Sequence, residues 1–238
     1  MIDFYTRYSE VIYISAFLLP MIAAAVHYVM IGEKGPRLGA EDNVIQRFSR
    51  SERIFHFIRM LTFLVVAATG YYFVFRHGFK SIGMVHSING SIFFLMSVST
   101  LFIWFKSGLF KDYDRLWLKH LGGYFSRDEL SLPAGKFNAG QKIFHFLSLL
   151  FAIILLVTGI NLIRGQISQT PNDTVLVIHG ITAALAIISV LGHIYLSLWV
   201  NKGTWRVLTH GKVSEQWAQC HHPNWKADTQ AGGVSRGI

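Results

Sequence analysis

The sequence predicts an all-α membrane protein, a transmembrane helix bundle of five spans, and three observations carry that prediction. Hydrophobic residues make up 52% of the 238-residue chain and mean hydropathy is +0.39, which is too apolar for a soluble domain of this size. The apolar residues gather into five runs, about residues 11–32, 54–75, 84–105, 143–163 and 175–200. Each is near the roughly 20 residues that cross a bilayer core. The basic residues, finally, alternate between connections, dense in the first, third and last polar segments and sparse in the other two.

Taken in order, span one follows Asp3, Arg7 and Glu10 rather than a basic leader, so it is expected to be retained rather than cleaved, with a kink at Pro20. Lys34, Arg37, Arg47, Arg50 and Arg53 lie between spans one and two. Lys106, Lys111, Arg115, Lys119, Arg127, Lys136 and Lys142 lie between three and four. The second-to-third connection has only Arg76 and Lys80, and the fourth-to-fifth only Arg164. Basic loops stay in the cytoplasm, which puts the N-terminus outside and the C-terminus, with Lys202, Arg206, Lys212 and Lys226, inside. The net charge of +9 is therefore a topology signal and not a face for nucleic acid. Within residues 106–142, KDYDRLWLKHLGGYF predicts a short helix lying along the inner membrane surface. The polar tail, with HHPNW at 221–225 and a Gly-rich end from Gly232, is expected to dock on a partner and then fray. The chain thus divides into an N-terminal helix with its linker (1–50), a four-helix core (51–205) and a cytoplasmic tail (206–238).

Cys220 is the one cysteine, which excludes an internal disulfide, a four-cysteine iron–sulfur site and the attachment motif of a c-type haem. A redox cofactor in this chain must be held mainly by histidines. The fifth run, VLVIHGITAALAIISVLGHIYLSLWV, carries His179 and His193, fourteen residues apart. Fourteen steps turn an α-helix by about 1,400°, close to four full turns, and climb about 21 Å. Both imidazoles share one face near opposite ends of a span, so one helix can offer an axial ligand to each of two haems stacked across the membrane.

Topology gives the remaining histidines a depth. His56 opens span two near the cytoplasm and His86 opens span three near the outside. Depth pairs His86 with His179 and His56 with His193, each pair suited to clasp one protohaem. A lone intramembrane histidine is ordinarily a satisfied polar group between helices; four at paired depths favour ligation. Gly70, fourteen residues after His56, Gly90 and Gly180 make room for a flat macrocycle, although glycines also serve helix packing. His27 and His145 are left over. RIFHF at 53–57 and KIFHF at 142–146 echo one another, which makes His145 the rival ligand. His77, His120, His210, His221 and His222 lie in polar segments and read as surface residues.

From Arg50 to Trp225 these residues form an ordered set: RIFHF with glycine fourteen later than its histidine, MVHSING, KFNAGQK, LVIH with LGHIYLSLW, and GKVSEQWAQCHHPNW. In that set the chain resembles the cytochrome b (gamma) subunit of membrane-bound respiratory formate dehydrogenases, related to the cytochrome b subunits of nickel–iron hydrogenases. The resemblance implies a four-helix diheme cytochrome b core, with His86 and His179 on the outer haem b and His56 and His193 on the inner. It also implies a quinone site, for menaquinone or ubiquinone, at Asn138, Gly140, Gln141 and His193, and a place in the bacterial inner membrane, where the outside N-terminus given by the basic loops is periplasmic. Implied partners are an iron–sulfur (beta) subunit and a molybdenum or tungsten catalytic (alpha) subunit. Asn138 read by itself is a helix N-cap, and both roles are compatible. The familiar members begin at the second span here, so span one is an addition. One familiar member carries an aromatic residue at the position of His145, which argues against ligation there and leaves a part in quinone protonation.

The expected function is electron transfer from an external iron–sulfur subunit through two b haems to a quinone near the cytoplasmic side, with formate chemistry in another subunit. The rivals are a cytochrome b of a hydrogenase or thiosulfate reductase complex and, from a different class, a haem-free anchor or transporter that uses buried histidines for protons.

Overall fold

The computed structural model describes residues 2–33, 44–76, 82–128, 130–168, 172–201 and 204–225. Among the described residues, five helices are long and apolar enough to cross a membrane: α1 (Ile2–Ile31), α2 (Arg50–Arg76), α3 (Ile82–Ile103), α6 (Ala139–Ser168) and α7 (Asp173–Tyr195), which runs on as a wider π turn, Leu196–Val200. Between α1 and α2 lies strand β1 (Val44–Gln46). The long third connection holds α4 (Phe105–Gly108), α5 (Asp114–Lys119) and a 3-10 turn at Leu121–Gly123. After α7 come α8 (Trp205–His210), β2 (Lys212–Ser214) and α9 (Glu215–His221). The five expected spans are all present. Their helices reach further than the apolar runs because polar first turns such as Asp3–Glu10 are helical too, and α1 continues through Pro20. Lys34, Arg37, His77, Lys80, Lys202, Lys226 and the segment from Gly232 lie outside the described residues.

The chain forms two compact units, residues 1–23, 54–100 and 146–192 in the first and 24–53, 101–145 and 193–238 in the second. In the first unit, tyrosines fasten α1. Tyr5, Tyr13 and Ala16 are buried; the Tyr13 hydroxyl donates to the Gly180 carbonyl at 3.1 Å, and the Tyr71 hydroxyl donates to the Tyr13 carbonyl at 2.9 Å. A Cβ at Gly180 would collide with the Tyr5 hydroxyl, so the close approach requires glycine there. Polar groups inside this unit are satisfied locally, as an apolar solvent demands. The Ser97 and Thr100 hydroxyls, both buried, donate to the Phe93 and Ser97 carbonyls at 2.8 Å. Arg59 donates to Ser148 Oγ at 2.6 Å and lies 5.7 Å from the Phe93 ring centre. Leu19, Leu95 and Val157 face outward, as lipid-contacting side chains do.

The second unit contains a small polar fold. β1 and β2 pair antiparallel, with Ile45 opposite Val213, and cover a core of Val207, Val213, Trp217, Ala218 and Trp225 against Ile45 and Phe48. Gly211, at φ 74°, ends α8 in the left-handed region, and Ser214 caps α9 by accepting from the Trp217 N–H at 3.1 Å. Arg47 is buried within this fold. Its guanidinium lies 4.8 Å from the Trp217 ring centre and donates to the Lys136 carbonyl at 3.1 Å and to His222 Nε2 at 2.9 Å. His222 Nδ1 in turn donates to the Gly135 carbonyl at 2.6 Å. His120 and His210 are exposed as expected, but His222 is 3% exposed and is no surface residue. The tail through Trp225 therefore packs on its own chain. Polarity alone hides the Arg47 and Gly135 groups that receive His222.

Candidate functional site

In the first unit, α3 and α7 bring His86 and His179 together. The ring centres are 6.3 Å apart and the rings are tilted 56° to each other. Each ring is held from a different helix: His86 Nδ1 lies 2.7 Å from Thr69 Oγ1 of α2, and His179 Nδ1 lies 2.8 Å from Thr158 Oγ1 of α6. The next residue in each case is a glycine beside the ring edge, with the Cβ position of Gly70 3.8 Å from His86 Cε1 and that of Gly159 3.6 Å from His179 Cε1. Phe73 packs edge-on to His86 at 5.2 Å. Thr69 and Thr158 engage the two Nδ1 atoms, the His86 ring also hydrogen-bonds to the Val66 backbone, and the ring separation leaves room for one metal atom bonded to both through Nε2. Among the described residues no group of three or more His, Cys, Asp or Glu gathers to hold a metal. A haem needs no such group, since the porphyrin supplies four ligands and the protein two. The pair fits a haem on those grounds.

Thr69, Thr158 and Gly159 were not foreseen, because hydroxyls and glycines are common in membrane helices. The signal was nonetheless present. α2 and α6 match at an offset of 89 residues: Thr69-Gly70 with Thr158-Gly159, His56 with His145, and Arg59 with its own hydrogen-bond partner Ser148. Their starts match as well. Ser49 Oγ accepts from Glu52 N at 3.3 Å while Glu52 Oε2 accepts from Ser49 N at 2.7 Å. Asn138 Oδ1 accepts from Gln141 N at 2.9 Å while Gln141 Oε1 accepts from Asn138 N at 3.1 Å. Both are reciprocal capping boxes. The RIFHF and KIFHF echo is the readable part of this repeat.

The second unit holds the other predicted cluster. Asn138 caps α6 as its residue type predicted, Gln141 completes the box, and the Asn138 amide also meets the Tyr124 hydroxyl. Burial pushes the Tyr124 phenol up, opposed by Asn201, Asn138 and Arg47. The space over Gly140 holds Trp117, whose Cη2 is 2.6 Å from the glycine's Cβ position. Lys142 and Asp114 form a buried ion pair at 2.6 Å that ties α6 to α5. His193 stacks on Phe144, 4.4 Å between ring centres, and Phe144 lies one helical turn after Gln141. The four candidate quinone residues thus belong to one unit. His145 packs near Trp104 at 5.8 Å. His27 bridges helix ends, with Nδ1 2.6 Å from the Tyr195 hydroxyl and Nε2 2.7 Å from the Tyr124 carbonyl. His56 falls in the first unit and His193 in the second, so their pairing continues to rest on the depth that topology gives them and on the resemblance.

Five apolar helices and a histidine pair suited to a haem define the class, a multi-pass membrane cytochrome. The chain belongs to the prokaryotic cytochrome b561 family, which matches residues 47–211 and implies haem b. It is 28% identical over 196 residues to the formate dehydrogenase cytochrome b556(fdo) subunit of Escherichia coli strain K12, covering 77% of this chain and 92% of that one. It is 29% identical over 201 residues to the nitrate-inducible formate dehydrogenase cytochrome b556(Fdn) subunit of the same strain, covering 78% and 92%. A formate dehydrogenase cytochrome b556 subunit of Haemophilus influenzae is 28% identical over 200 residues, covering 78% and 84%. The region matched to the family begins after α1.

Proposed function

We propose that this chain is the diheme cytochrome b subunit of a formate dehydrogenase complex, carrying electrons from an external iron–sulfur subunit across the bacterial inner membrane to a quinone. The observation that carries the reading is the His86–His179 pair, two facing rings 6.3 Å apart whose Nδ1 atoms are both taken up by threonines. Identity to formate dehydrogenase subunits over most of the chain supports the choice of complex. His86 and His179 hold the outer haem and His56 and His193 the inner. Bound haem supplies one-electron transfer. The basic loops support a cytoplasmic C-terminus and a periplasmic N-terminus. The partners are the iron–sulfur subunit and a molybdenum or tungsten catalytic subunit that oxidises formate.

Quinone carbonyls need hydrogen-bond donors. The capping box occupies the oxygen of both amides and leaves NH₂ hydrogens to donate, from Gln141 Nε2 and from Asn138 Nδ2 beside the contact it already makes with the Tyr124 hydroxyl. Gly140 and Trp117 form the wall beside them, and His193 lies across from Phe144. Protons for the quinol come from the cytoplasm and electrons from outside, so turnover builds a membrane potential.

The test is a reduced-minus-oxidised spectrum with a haem-to-protein ratio on the purified chain and on its His86→Ala and His179→Ala variants. The chain should carry two b haems, and each variant should lose one and keep the other. A folded chain without haem would instead favour the anchor or transporter. Copurification with a hydrogenase or thiosulfate reductase subunit would move the chain to that complex.

A further inference from the structure

A threonine hydroxyl has one hydrogen to give. Thr69 Oγ1 lies 2.7 Å from the Val65 carbonyl and 2.7 Å from His86 Nδ1; Thr158 Oγ1 lies 2.6 Å from the Ile154 carbonyl and 2.8 Å from His179 Nδ1. A carbonyl can only accept, so the hydroxyl hydrogen goes to the helix's own backbone four residues earlier. The oxygen then faces the imidazole with lone pairs alone, and the hydrogen between them has to sit on Nδ1. The same logic holds at both rings, from helices that match at one offset along the chain, and at His86 the Val66 backbone hydrogen-bonds to the ring as well.

We propose that Thr69 and Thr158 are positioning residues that lock His86 and His179 as Nδ1–H tautomers, present both Nε2 lone pairs to one iron, and hold down the potential of that haem. The inference rests on the reading of His86 and His179 as the outer pair. Donation from Nδ1–H to an oxygen makes the ring a more basic ligand, and a more basic ligand favours the oxidised iron. No water or carboxylate is needed for this. A backbone carbonyl, which every helix carries, directs the threonine, and the threonine directs the ring.

The experiment uses the full chain with Thr69→Val and Thr158→Val, isosteric changes that delete the hydroxyl, beside Thr69→Ser and Thr158→Ser. In redox titrations the valine variants should keep both haems, and the outer haem should be easier to reduce. Its reduced-to-oxidised ratio at a fixed ambient potential should rise about threefold, or roughly 30 mV at 59 mV per decade, and serine should restore it. Loss of the outer haem in valine but not in serine variants also supports the proposal. Unchanged potentials at full occupancy, or loss of haem in serine and valine variants alike, would overturn it. A second readout needs no haem: ¹⁵N-histidine NMR of the chain before haem is added, assigned by difference against His86→Gln and His179→Gln, should show Nδ1 protonated in both rings. Nε2 protonation there refutes the tautomer lock, whereas a wild-type chain that shows the expected tautomers yet takes up no haem refutes the haem reading instead.

Discussion

Arg47 and His222 show how one side chain fixes the charge of another. Burial pushes the Arg47 guanidinium down to about 9, a shift that leaves it charged at neutral pH, and His222 meets it through an unprotonated Nε2. Burial and the Arg47 charge hold His222 well below the usual histidine value and lower His221 from 6.5 to about 4. Protonating either ring would set a second cation beside the first. A histidine whose value is depressed by folding binds fewer protons folded than unfolded, so its contribution is complete above the unfolded value and fades as pH falls. Docking of the tail should therefore hold above about pH 6.5 and loosen toward about 4. Trp217 and Trp225 fluorescence, or protease cleavage after α8, should report the loosening, and a His221→Gln, His222→Gln double variant should flatten the profile. A profile equally steep in that variant would place the titration elsewhere.

At the scale of elements, the proposed quinone site gives Asn138 at the start of α6 a second role beside its cap, and a substitution can separate the two. Asn138→Asp keeps an oxygen to accept from Gln141 N, and so keeps the cap, but removes the NH₂ that would donate to a quinone carbonyl. Thermal stability should stay near that of the wild type while quinone reduction slows with both haems intact. Asn138→Ala should lose the cap as well, at a cost of about 1 kcal/mol. Undiminished quinone kinetics in Asn138→Asp would remove Asn138 from that site. Much of this level was open to the sequence. Apolar run length found all five spans, and depth within them put His179 level with His86, whose ring it meets. The N-cap at Asn138 followed from residue type. The threonines did not follow, since their meaning depends on a ring from another helix, and neither did the indole of Trp117 over Gly140. The packed tail was hidden for the same reason: nothing local to HHPNW points to Arg47, 175 residues away in the chain.

For the molecule as a whole, the seat of α1 on Gly180 joins the first span to the last. Gly180→Val would drive a side chain into Tyr5, and overpacking of this kind costs about 1–3 kcal/mol. The variant should lower the thermal midpoint in detergent and expose α1 to protease, while a change at Gly192, where a Cβ meets nothing within 4 Å, should not. Equal midpoints for the two variants would mean that α1 gains nothing from this contact. The same contact has a consequence in time. The Tyr13 hydroxyl and its Gly180 carbonyl are 167 residues apart, and a ribosome adding about 5–20 residues per second takes about ten to thirty seconds to make that length. Throughout that interval the first span lacks its seat on Gly180, so a chain cut short before α7 emerges holds α1 through the Tyr71–Tyr13 contact to α2 without the Gly180 one.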